Sequence, residues 1–194
     1  MDLVARLDEA RERWNLLKHP FYARWSCGEL TRDDLAYYAG QYRHAVVALA
    51  ETAGKAGAAH AREEVEHIAL WDAFAEALGS TPAEPSAETA ECVSTWLAPD
   101  DPLGALAVLY AIEAGQPDVS QTKLDGLEEH YGIGSDEAGA EYFAVHAELD
   151  HEHAAQSRVL LEAHSGDDDR LVALAEAALR GNWVLLDGVE ARTA

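Results

Sequence analysis

Apolar residues recur at three- and four-residue intervals along almost the whole 194-residue chain, and no stretch keeps a two-residue alternation for long. That periodicity belongs to the α-helix, whose turn brings positions i, i+3, i+4 and i+7 onto one face, so the chain is expected to be all-α. Capping and breaking residues divide it into seven long segments. The first covers about 2–17, and "HPFYARWSCGEL", bracketed by Pro20 and Gly28, adds a short turn of helix. Thr31 is the expected N-cap of a helix over about 32–54. A third runs over about 58–78 and stops at Gly79, and a fourth over about 86–97. A fifth begins in "PLGALAVLYAIEAGQP", where Gly115 and Pro117 should kink or break it, and its second half ends at Gly132. A sixth occupies about 135–164 and a last one about 168–186. Seven helices exceed a simple four-helix bundle, and the length suits one domain over 1–194.

Charge narrows the function classes. Thirty-six acidic residues against 14 basic ones give a formal net charge of -22. Repulsion disfavours nucleic acid and anionic membrane as partners, and the Lys-poor acidic surface suits a high-salt habitat. No apolar run approaches the ~18 residues of a membrane span, and the amphipathic start "MDLVARLDEARERW" does not read as a signal peptide. A soluble, cytoplasmic protein is expected. Cys27 and Cys92 form no C-x-x-C pair and read as packing thiols.

Three places could carry chemistry. In "AVHAELDHEHA", His146, Asp150 and His153 stand at i, i+4 and i+7, on one stripe of a helix, where two imidazoles and a carboxylate can converge on iron, manganese or zinc. A solvated polar face competes with that reading, because Glu148, His151 and Glu152 make the segment polar in several directions. Glu113 follows ten mostly apolar residues, and a carboxylate buried there needs either a metal or a basic partner. In "AREEVEHIALWDAFAEALG", His67 shares a face with Glu63 at four residues and with Glu64 at three. Glu63, Glu113, Asp150, His67, His146 and His153 together suit two divalent metals with positions left open for dioxygen or substrate. His60, His44 and Glu64 remain spare candidates.

These stretches, with "HPFYARWSCGELTRDDLAYYAGQY" and "LYAIEAGQPDVSQTKLDGLEEHYG", resemble the heme-oxygenase-like dimetal oxidases, a group that includes thiaminase-type TenA proteins and pyrroloquinoline quinone synthases. The likeness spans about Lys18 to Arg158 and is nearest to the para-aminobenzoate-forming branch, the Chlamydia protein associating with death domains and its relatives. It implies a heme-oxygenase-like seven-helix bundle, commonly a homodimer. Its dimetal centre, Fe/Fe or Mn/Fe, would use dioxygen and an external reductant and be held by Glu63, His67, Glu113, His146, Asp150 and His153. The family's His-x-x-x-Asp-x-x-His falls on His146, Asp150 and His153. Glu63 matches the first glutamate, although the spacing to His67 is about three residues shorter here, and the tyrosine before the mid-chain glutamate is Ile112.

In that branch the enzyme consumes its own tyrosine, which falls on Tyr22, and takes nitrogen from a lysine, which falls on Lys123; two further active-site tyrosines fall on Tyr38 and Tyr142. Read without the resemblance, Lys123 is equally a surface residue and Tyr22 a core tyrosine. Two other functions compete. The same metals could oxidise or cleave an external amino acid or fatty acid, or the fold could be a non-catalytic interaction module. A thiaminase-type hydrolase would want a nucleophilic Cys that neither Cys27 nor Cys92 supplies.

Overall fold

The computed structural model describes residues 2–164 and 166–193, with the side chain of residue 193 left aside. Among the described residues there are nine α-helices and no strand. Helix α1 (Leu3–Arg13) is N-capped by Asp2. It stops short of the expected 17 because Asn15 caps a separate 3-10 turn, Leu16–Lys18. The short α2 (Pro20–Ser26) has His19 as its cap, the ring Nδ1 accepting the Phe21 N–H. Helix α3 (Arg32–Ala56) opens with a reciprocal capping box between Thr31 and Asp34, and α3 and α4 (Ala61–Leu78) both end on left-handed glycines, Gly57 and Gly79. Helix α5 spans Ala87–Leu97.

The expected kink in the fifth segment is a full break. Asp101 caps α6 (Pro102–Glu113), which ends at Ala114, and Pro117 sits in the first turn of α7 (Gln116–Gly126). A π turn, Leu127–Tyr131, carries the chain on to Gly132. Helix α8 (Glu141–Glu162) begins six residues later than 135, because the Gly134 backbone N–H donates to the Glu137 carboxylate and folds "IGSDEAGA" into turns. Helix α9 (Asp168–Thr193) runs beyond 186, since Val189 continues its buried stripe.

Every residue of α6 from Gly104 to Glu113 is buried, so this helix is enclosed on all sides, packed against α3, α8 and α9. On one side lies a small core where α1 and α9 contribute Leu7, Leu171 and Ala175. On the other, α2, α3, α4 and α8 pour aromatic residues into a larger core: Tyr22, Trp25, Tyr38, Tyr42, Trp71, Phe74 and Phe143. Helix α7 approaches it closely at Gly126, where an added Cβ would stand 2.5 Å from Trp25 Nε1. That indole donates to the Lys123 carbonyl at 3.2 Å, so the close approach sets where Lys123 enters the core. Gly126→Ala should therefore lower stability by about 1–3 kcal/mol, the usual cost of overpacking, as measured by urea unfolding.

Candidate metal centre

Helices α4 and α8 pack together beside the C-terminal end of α6. Seven metal-ligating side chains meet there, all buried: His60, Glu64 and His67 from α4 and its cap, Glu113 from α6, and His146, Asp150 and His153 from α8. Two groups of them could each hold an ion, Glu64 with His67 and His146, and Glu64 with His60, Glu113 and His153. Glu64 belongs to both groups and so sits where a bridging carboxylate would. Its oxygens lie 3.4 Å from His67 Nδ1, 3.8 Å from His146 Nε2 and 4.0 Å from His153 Nδ1. His60 Nε2 is 2.8 Å from Glu113, and its ring stacks on His153 at 3.7 Å between centroids. Asp150 stands 3.4 Å from His153 Nδ1.

The donor atoms are poorly satisfied by protein. Both Asp150 oxygens, Glu64 Oε1, Glu113 Oε2, His67 Nδ1, His146 Nε2 and the Nδ1 atoms of His60 and His153 have no hydrogen-bond partner among the described residues. Buried polar atoms are almost always paired, so eight such atoms in one cluster mark a place built for something else, and the mixture of carboxylate and imidazole fits iron or manganese. His146 Nδ1 donates to the Tyr142 carbonyl at 2.7 Å, which orients the ring and turns Nε2 toward Glu64.

Electrostatics shows what the cluster does without a cation. Burial, reinforced by Asp150 and Glu64, pushes Glu113 well above the usual carboxylate range, so it keeps its proton. Glu64 is also pushed up by burial, but His146 and His67 outweigh that and hold it low. Burial opposes the charge on His146, yet Glu64 and Asp150 raise it above its ordinary value. Burial lowers His60. Protons thus occupy the places that cations could take.

The expected ligands His67, Glu113, His146, Asp150 and His153 all point into the cluster. Glu63 does not. Its side chain is 55% exposed at the rim, 3.7 Å from His153 Nε2, whereas Glu64 is 3% exposed and faces inward. His60, held only as a spare in the sequence, completes the second group, while His44 bonds the Ala83 carbonyl and belongs to neither group.

Beyond His146 the polar cluster gives way to rings. Tyr142 stacks on His146 at 4.0 Å and meets Trp71 edge-on at 4.9 Å. Lys123, fully buried, places Nζ within 4.9–5.8 Å of the ring centroids of Phe143, Tyr42, Tyr38, Trp71 and Tyr22. Lys123 is therefore no surface residue. Burial alone lowers its amine to about 7, and burial raises Tyr22, Tyr38 and Tyr142 well above 10, so all three phenols keep their protons.

Above about pH 10.5 the Lys123 amine is neutral in both the folded and the unfolded chain. Between there and about pH 7 only the unfolded chain takes up the proton, so the buried amine costs more stability as pH falls, and below about 7 that cost is complete. Lys123→Met should stabilise the fold by several kcal/mol more at pH 7 than at pH 10, at about 1.4 kcal/mol per pH unit. Parallel urea melts at the two pH values check it.

A family described as iron-containing redox enzymes matches residues 39–186. The chain is 31% identical to a 4-aminobenzoate synthase of Nitrosomonas europaea, over 95% of this chain and 89% of that one. It is 30% identical to the 4-aminobenzoate synthase of Chlamydia trachomatis, over 96% and 91%. A protein of unknown function with a heme oxygenase-like fold from Shewanella denitrificans superposes with a TM-score of 0.78 at 19% identity, covering 99% of this chain and 93% of the other. A TenA homologue from P. horikoshii gives 0.76 at 16% identity, covering 97% and 98%. With its helices arranged in the heme oxygenase-like manner around a buried cluster of imidazoles and carboxylates, this chain belongs to the iron-containing redox enzymes and is an oxidoreductase.

Proposed function

We propose that the protein is a dimetal oxygen-activating enzyme that forms para-aminobenzoate, a folate precursor, from its own Tyr22, with Lys123 as the amino donor. The supporting observation is that Lys123 and Tyr22 share one closed aromatic chamber, 5.8 Å from Nζ to ring centroid, which adjoins the candidate metal cluster through Tyr142 and His146. The names of the relatives, 4-aminobenzoate synthases at about 30% identity, support the same product.

In this reading Glu64, His67 and His146 would hold one ion and Glu64, His60, Glu113 and His153 a second, with Asp150 3.4 Å from His153 as a further donor. The ions are Fe/Fe or Mn/Fe, and when bound they supply the activation of dioxygen. The chain's own residues do the rest. The Tyr142 carbonyl fixes His146, and a cleft lined by Tyr110, Ala114, Pro117, His151 and Arg158 leads to Asp150 from the surface. Burial keeps Tyr22 a neutral phenol, so its oxidation must release a proton, and keeps much of Lys123 as free amine near neutral pH, the form with a lone pair to give. Tyr38 and Tyr142 line the same chamber and flank that chemistry.

The reading needs an external reductant and no nucleic-acid or membrane partner. A net charge of -22 supports the second point, and among the described residues no helix is long and apolar enough to cross a membrane. It takes the protein to be a cytoplasmic homodimer, as the sequence resemblance implies. One observation favours a second reading, oxidation or cleavage of an external amino acid or fatty acid. Ile112, where the family has tyrosine, lines a partly apolar cleft with Leu17, Val119 and Asn182 at the C-terminal end of α6.

Protein loaded anaerobically with Fe and Mn should hold about two metals per chain. Glu64→Ala should lose most of that metal and Glu63→Ala should keep it, by elemental analysis. On adding oxygen and reductant, the wild type should release less than one para-aminobenzoate per chain and carry into it the isotope of labelled tyrosine. Tyr22→Phe should release none; oxidation of an added substrate that survives Tyr22→Phe would instead select the second reading, and absence of metal would overturn both.

A further inference from the structure

The same core contains an unbroken file of readily oxidised rings that runs from the candidate metal site to the surface. Tyr142 lies 4.0 Å from His146, Trp71 4.9 Å from Tyr142, Tyr38 5.9 Å from Trp71, Trp25 6.0 Å from Tyr38, and Tyr131 5.7 Å from Trp25, all between ring centroids. Tyr142, Trp71, Tyr38 and Trp25 are buried, whereas Tyr131, on the π turn after α7, is half-buried and reaches solvent. Its hydroxyl donates to the Trp25 carbonyl at 3.3 Å, which ties the outer end to the next ring inward.

We propose that this file is an electron relay that delivers reducing equivalents, one at a time, from a donor docked at Tyr131 to the buried metal centre. The inference rests on the metal-centre reading given under the proposed function. The liganding side chains are buried and the cleft at the cluster ends on Asp150, so a donor too large to enter that cleft needs another route to the ions. Packing alone explains the bulk of these rings but not their order. Phe21, Phe74 and Phe143 fill the same core, and Trp96, equally buried, stands apart, yet neither kind interrupts the file. In each passage the donor loses one electron and the oxidised centre gains one. Each ring between them is oxidised by its inner neighbour and reduced again by its outer one. When a tyrosine gives an electron, its phenolic proton passes to a neighbouring base and returns on re-reduction, the Lys123 amine 5.3 Å from the Tyr38 ring serving inside and solvent serving at Tyr131, so no proton is consumed in transit.

The outer end also defines the donor class. Glu128 and Glu129 are exposed on the turn that carries Tyr131, and Glu29 is exposed where α2 gives way to α3, in a chain of net charge -22. That field attracts a small cationic one-electron donor and repels an anionic one, through the encounter rate more than through tight binding.

The test follows reduction of the oxidised, metal-loaded protein by hexaammineruthenium(II) under anaerobic conditions, in a stopped-flow experiment that reads the decay of the centre's own absorption and not product formation. Tyr131→Phe and Trp25→Phe should each slow that decay by about tenfold or more, with the metal count unchanged, while Trp96→Phe keeps the wild-type rate. Raising the ionic strength should slow reduction of the wild type by this cation, as screening of the acidic patch requires. Equal rates in the wild type and Tyr131→Phe, a half-buried position where the substitution removes one oxygen, would overturn the relay even if Trp25→Phe failed to fold. Bound metal with unchanged rates rejects the relay alone, whereas absence of metal rejects the centre and the relay with it.

Discussion

Burial of three carboxylates within reach of one another is the constraint on which the remaining structure depends. Glu64, Glu113 and Asp150 lie inside an apolar helix bundle, where like charges at short range in a low dielectric repel strongly and cannot all remain ionised unaided. Four imidazoles surround them without enough hydrogen bonds to satisfy the set. Without a cation the protein resolves the conflict by protonation, Glu113 staying neutral and His146 being drawn toward the charged form. Two divalent ions would resolve it differently, leaving only about one net positive charge on the cluster.

That constraint explains why α6 is built as it is. A helix whose last ten residues are all buried is an unusual way to carry a glutamate, but it delivers Glu113 to the centre of the bundle. The break at Gly115 then matters as much as the helix. Continued straight, the chain would carry Lys123 away from the cluster; restarted at Gln116, α7 lays Lys123 into the aromatic chamber next to it. Trp25 clasps the turn there through the Lys123 carbonyl, an approach that only a residue without Cβ at Gly126 permits.

The periodicity made the all-α architecture readable, because it is a property of every segment at once, and the stripe of His146, Asp150 and His153 made half of the cluster readable. The other half carries the same signal. His60, Glu64 and His67 repeat those intervals of four and three on α4, and on that stripe Glu63 stands one residue, about 100°, out of line. Taken against His67 alone, Glu63 at i−4 and Glu64 at i−3 were equally placed; the tie is broken only by His60, one turn earlier and at the cap, where a short loop obscures the period. The environment of Lys123 was not readable by the same route. "QTKLDGL" is a polar string, and what buries its lysine is the break in the preceding helix, a tertiary consequence that no local pattern encodes.

Metal cluster and aromatic chamber act on each other through the same low dielectric. The medium that makes paired carboxylates demand cations also makes an ammonium expensive, which brings Lys123 down to about 7 with no charged neighbour invoked. Ions bound at the cluster would add positive charge a short distance away, beyond Tyr142 and Trp71, and that charge would work in the same direction as burial. Loading the centre would therefore favour the free amine further, so under the proposed function the amine would be most available with ions in place and least available with the cluster held by protons.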